Sequence, residues 1–88
     1  MFLYHTTNKS NLNSILLKGL LRSYSTDKKI YLSILPYKPD SLKTITLIVD
    51  VSFLNITCLS SWEYICWEDI PVTRIQNRIN LNKLLETL

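Results

Sequence analysis

Apolar and polar positions alternate, or recur at helical spacing, along most of the chain. The opening Phe2-Leu3-Tyr4-His5 reads as a short first strand that Thr6 through Asn8 break. Leu12, Ile15, Leu16, Gly19 and Leu20 then recur at i, i+3, i+4, i+7 and i+8, one face of a helix. Asn8 or Ser10 can accept an orphan amide at its start, and Lys18 suits the negative end of its dipole. Gly19 fits a left-handed position just after the helix, with Leu20 folding back. Residues 29–34 alternate, with Ile30, Leu32 and Ile34 on one side and Tyr31 and Ser33 on the other, which predicts a strand. Pro36 and Pro39 end it. Residues 44–52 alternate again, with Ile45, Leu47, Val49 and Val51 sharing a face. Residues 62–67, Trp-Glu-Tyr-Ile-Cys-Trp, favour β structure on both faces and so predict a central strand. After a turn at Pro71, Arg74 to Asn77 reads as a last strand. Leu81, Leu84, Leu85 and Leu88 fit a C-terminal helix capped by Asn80. The order β-α-β-β-β-α predicts an α+β fold, a small twisted sheet with one N-terminal helix packed on it.

Composition narrows the class. With 88 residues, 47% hydrophobic and 19% charged, the chain is one globular domain over residues 1–88. At this size folding buries only about 60–65% of the surface of the chain. One Gly excludes a Gly-rich phosphate loop, and two Cys with one His cannot complete a four-ligand zinc site, so no metal is expected. Ten Lys and Arg against seven Asp and Glu give a net charge of +3. The basic residues are scattered, Lys28-Lys29 being the one adjacent pair, so the charge permits nucleic-acid contact without requiring it. Cys58 and Cys66 form no CxxC motif and are expected as reduced thiols, packed as small apolar side chains, in a cytoplasmic protein. His5 and Thr6 interrupt the apolar opening and no basic segment precedes it, so no signal peptide is expected. No apolar run approaches the roughly 20 residues that span a bilayer. The sequon Asn55-Ile56-Thr57 has meaning only for a secreted chain. The edge of so small a sheet offers a route to a homodimer.

Three segments carry candidate chemistry: Leu3-Tyr4-His5-Thr6-Thr7 before the first helix, Ile30-Tyr31-Leu32-Ser33 within a strand, and Trp62-Glu63-Tyr64-Ile65 followed by Asp69-Ile70-Pro71 and Ile75. Together they resemble the ADP-ribosyltransferase-like superfamily, in the branch whose triad is His-Tyr-Glu. Its members often open "LYHGT", continue with a helix ending "ILKEGL", and close on "WEY" and "DIPPERI". Here Ile15-Leu16-Leu17-Lys18-Gly19-Leu20, Val49-Asp50-Val51-Ser52 and Asp69-Ile70-Pro71-Val72-Thr73-Arg74-Ile75 are similar. The resemblance spans residues 2 to about 76. It implies a split sheet, NAD as co-substrate, and transfer of ADP-ribose to a protein or nucleic-acid acceptor; the Asn-, Ile-, Lys- and Ser-rich composition suits a phage or mobile-element effector or counter-defence factor.

The resemblance also implies roles. Cleavage of the nicotinamide–ribose bond passes through an oxocarbenium-like state, as glycoside hydrolysis does. Glu63 would stabilise that charge through a ribose hydroxyl and orient the nucleophile. His5 would bind a ribose hydroxyl of the adenosine half. The backbone of Thr6 would pair with the nicotinamide carboxamide, and the Thr7 hydroxyl would add one bond. Tyr31 would stack on the nicotinamide ring, with Tyr37 as the second aromatic partner. Glu68 is a rival carboxylate, five positions on and facing the other way in a continuous strand. Residues 34–43 make a short connection where relatives place a helix. RNA 2′-phosphotransferase relatives grip phosphate with several Arg and His, which this chain lacks. Two further readings stand beside the enzyme: an inactive form of the same fold that acts by occupying a partner, and a small basic nucleic-acid binder.

Overall fold

The computed structural model describes residues 1–36 and 41–86. Within them the chain is a small α+β domain, a five-stranded antiparallel sheet with two helices. The strands are β1 (Phe2–Asn8), β2 (Ile30–Ser33), β3 (Thr44–Asp50), β4 (Ile56–Cys58) and β5 (Glu63–Cys66), in the spatial order β3-β1-β2-β5-β4. The helices are α1 (Leu12–Lys18) and α2 (Arg78–Glu86).

β1 and β3 form the longest ladder, seven residues from Phe2↔Asp50 to Asn8↔Thr44. The β-branched Thr6 and Thr7 continue β1 rather than breaking it, because β3 offers them partners as far as Thr44. On this ladder Leu3, Leu47 and Val49 share a face, and all three are fully buried. Leu12 and Ile15 from α1, Leu81 from α2, and Ile30, Leu32, Cys66, Ile70 and Ile75 complete the core on that side. Tyr31, Ser33, Glu63 and Ile65 lie on the opposite face of the β2–β5 pair, as the register Ser33↔Glu63 and Tyr31↔Ile65 requires. β5 runs between β2 and β4, with Ile65 and Cys66 buried on opposite faces, as its doubly apolar pattern predicts.

α1 is entered through a 3₁₀ turn at Lys9–Asn11, and neither Asn8 nor Asn11 caps it through a side chain. Its end is fixed by Gly19. The Gly19 amide bonds Ile15 O at 2.7 Å, and its φ of +82° lies where side chains are strained. Its ψ of −169° extends the chain instead of completing a left-handed turn. A β-carbon there would stand 2.3 Å from Ile70 O. That close approach lets Leu20 and Ile70 exchange two backbone bonds of 2.8 Å.

Further expectations need correction. Arg74 to Asn77 is not a strand. Val72–Arg74 is a 3₁₀ turn after Pro71, and only Ile75 bridges Val49. The Asn77 amide takes the place of a further strand: Oδ1 accepts from Ile48 N and Nδ2 donates to Thr46 O, both at 3.0 Å. The three-residue β4 was not foreseen at all. Ile34 is exposed rather than inward, since β2 ends at Ser33, whose Oγ bonds Leu35 O at 2.5 Å and turns the chain. Cys58 is exposed on the edge strand, and only Cys66 is packed inside; both are free thiols. α2 starts before Asn80, which lies within the helix, and Leu88 is outside the described residues. No helix among the described residues is long and apolar enough to cross a membrane.

Candidate functional site

β1 and β2 are neighbours in the sheet, yet a single residue pair, Tyr4↔Ser33, registers them. Beyond that pair the strands part. Ile34 N bonds Trp62 O on the β5 side, so ladder alternation turns the odd residues of β2, Ser33 and Tyr31, toward β1. Among the described residues the Tyr31 carbonyl has no ladder partner on β1. It accepts instead from His5 Nδ1, at 2.9 Å. The same alternation aims the backbone of Thr6, like that of Tyr4, into the split.

Two clefts open at this place. The smaller, about 320 Å³, is lined by residues that include His5, Thr6, Tyr31, Ser33, Trp62 and Glu63. The larger, about 580 Å³, lies toward α1 and includes Thr7, Asn11, Ile15, Tyr24, Ser25 and Lys29. His5 and Tyr31 line both, so the clefts adjoin at these two residues. His5, Tyr31 and Glu63, from three different strands, therefore border one cleft, with the register setting the His5 side chain on the face of Leu47 and those of Tyr31 and Glu63 on the other face across the split. Thr6 borders the smaller cleft, where its hydroxyl bonds that of Thr46 at 3.1 Å. Thr7 borders the larger, its Oγ1 accepting from Asn11 Nδ2 at 3.0 Å. Tyr37 lies outside the described residues.

Protonation follows from these contacts. Burial pushes the His5 imidazole below its ordinary value of 6.5, while the bond to the Tyr31 carbonyl pulls the other way. The ring is neutral at pH 7. A carbonyl can only accept, so Nδ1 carries the proton and Nε2 keeps its lone pair as an acceptor. The Tyr31 hydroxyl donates to Asp27 Oδ2, which raises the phenol above its ordinary value of 10.0, and the Glu63 charge acts in the same direction. Bonds from Ser25 and then Tyr31 hold Asp27 below its ordinary value.

The rival carboxylate is occupied elsewhere. Glu68 lies beyond the end of β5, and its Oε2 accepts from Asn55 N at 2.9 Å, tying down the approach to β4. All three arginines serve the backbone: Arg22 Nε bonds Lys28 O, Arg74 Nη1 bonds Ser52 O, and Arg78 Nη1 bonds Thr73 O and Ile75 O. Among the described residues no cluster of three or more His, Cys, Asp or Glu side chains could hold a metal ion. Asp27, Ser33, Tyr24 and Lys29 border or brace the site without having been anticipated. Only the distance of four residues between Asp27 and Tyr31 could have pointed to the first.

The sequence matches no family model, and no curated protein matches it. The chemistry of the site therefore rests on its own residues.

Proposed function

We propose that this chain is a minimal NAD-dependent ADP-ribosyltransferase of the His-Tyr-Glu type, with ADP-ribosyltransferase-like architecture. The observation that carries the reading is the meeting of His5, Tyr31 and Glu63 in one cleft at the split of the sheet. The donor set suits NAD. Neutral His5 offers Nε2 to a ribose hydroxyl, which must then donate. Tyr31 offers a π face to the nicotinamide ring. The Thr6 backbone, which has no ladder partner on β2 among the described residues, suits the carboxamide, which both donates and accepts. The two joined clefts fall within the 300–1,000 Å³ common for ligand sites.

Cleaving the nicotinamide–ribose bond places positive charge on the ribose. A carboxylate beside that carbon gains more from the transition state than from the bound substrate, and Glu63 is the carboxylate lining the cleft. Water competes with the acceptor for the same carbon, so the acceptor must dock close by. The rim of the smaller cleft suits a macromolecule. Trp62 is 47% exposed, and Leu59 (53%) and Leu35 (71%) stand near it, tied in by Leu59 N to Glu63 O and Ile34 N to Trp62 O.

Incubating lysate with purified protein and labelled NAD tests the reading. Label should enter a macromolecule, and Glu63→Gln should lower that transfer by about a hundredfold or more with a melting temperature near that of the wild type. Full transfer by that variant would sink the role of Glu63. A folded protein that binds a partner but neither binds nor consumes NAD would favour the inactive form of the fold.

A further inference from the structure

We infer that Asp27 is the positioning residue of this site, fixing the Tyr31 ring at the junction of the two clefts through the phenol hydroxyl alone. The inference rests on the NAD reading given above. Tyr31 is 40% exposed on a sheet face, where water can satisfy its hydroxyl and the ring can turn about two side-chain bonds. Stability does not call for a partner there. The loop before β2 nevertheless supplies one. Lys28 N bonds Ser25 O at 3.2 Å, closing a four-residue turn with Asp27 in third place. Lys28 takes φ +60°, a conformation that a residue with a β-carbon adopts at some cost. Arg22 braces the turn through Nε to Lys28 O at 2.9 Å, and Arg22 N bonds Asp69 Oδ1 at 2.7 Å.

This braced turn delivers a carboxylate with both oxygens in use. Oδ1 accepts from Ser25 Oγ, and Oδ2 accepts from Tyr31 OH. The Ser25 bond orients the carboxylate, and the carboxylate orients the ring. His5 meets the same residue from the other side, on the Tyr31 carbonyl. Tyr31 is thus held at its backbone by one side chain and at its hydroxyl by another. A stacking surface set before the ligand arrives spares the ligand the entropy of ordering it. The Asp27 contact therefore acts on affinity for the ring that stacks, not on the bond-breaking step.

The test is a double-mutant cycle on the full chain with NAD as ligand, joined to a measurement made without NAD. Asp27→Ala should raise KM for NAD about tenfold, as the loss of one charge-assisted bond implies, while kcat changes less than about twofold. Asp27→Asn retains an acceptor oxygen and should recover most of that loss. In a Tyr31→Phe background, Asp27→Ala should add nothing further, because the group it acts through is gone. An equal tenfold loss in that background, or no loss beside intact Tyr31, overturns the inference. In the absence of NAD, relaxation of a ¹³C-labelled Tyr31 ring should show a more mobile ring in Asp27→Ala than in the wild type, and an unchanged ring overturns the inference too. If the wild type binds no NAD yet the ring loosens on substitution, the NAD reading falls and the clamp on Tyr31 stands.

Discussion

One proton on His5 decides what that residue can offer. With Nδ1–H given to the Tyr31 carbonyl, Nε2 accepts only while the ring stays neutral. The pKa of the folded state lies below the ordinary 6.5 because burial disfavours the cation. Between those two values the unfolded chain binds the proton and the folded chain does not. This contribution to stability is therefore complete above about pH 6.5 and is lost as pH falls toward the depressed value. Urea unfolding at pH 7.5 and pH 5.0 should show the loss, and His5→Gln should remove that part of the difference. Asp50, lowered by its bonds from Ser52, acts in a separate window. Its contribution is present above its ordinary 3.8 and is lost below it. At this scale the sequence was informative where order along the chain mattered: His5, Tyr31 and Glu63 stood out as one residue on each of three strands. It was silent on Asp27, because an acidic residue in a polar loop carries no mark until its hydroxyl partner is placed.

Among elements, the two most exacting junctions are each held by one residue. Gly19→Ala would add a β-carbon 2.3 Å from Ile70 O on a backbone with φ +82°. Strain and overpacking together should cost roughly 2–4 kcal/mol, seen as a fall in melting temperature of more than about 10 °C. Asn77→Ala would leave Ile48 N and Thr46 O without their side-chain partner on the outer edge of β3. A loss of about 1–2 kcal/mol is expected, and light scattering on warming should rise as that edge opens to other chains. The same two places show why some elements could be read and others not. Helix periodicity ending in the one Gly marks the end of α1 plainly. β3 declares itself by seven alternating positions. β4 has only Ile56, Thr57 and Cys58, too few to alternate, and is recognisable only beside β5. Residues 74–77 look like a strand because they do lie along β3: Gln76 N bonds Ile48 O at 2.7 Å, but at the next rung the Asn77 side-chain amide makes the bonds that backbone was expected to make.

For the whole molecule, charge and size set the expectations. The net charge of +3 is small, and each arginine has at least one donor committed to a backbone carbonyl. Duplex DNA should accordingly bind no more tightly than a non-specific ligand, with a shallow dependence on salt; a steep log–log slope would point to a basic binding surface instead. Each wall of the site is also a load-carrying part of a domain with little core to spare: Ile15, Leu20 and Ile30 belong to the core and border the larger cleft as well. The gap between β1 and β2 has a consequence for how the chain can vary. An imidazole stands in for a rung of the ladder, so position 5 governs both the breadth of the opening and the group presented to whatever enters it. A small aliphatic residue there would free the Tyr31 carbonyl to seek an amide of the facing strand, drawing the two strands together and sealing the entrance. Relatives with such a residue at position 5 should thus lose the aperture itself and zip into an ordinary continuous sheet.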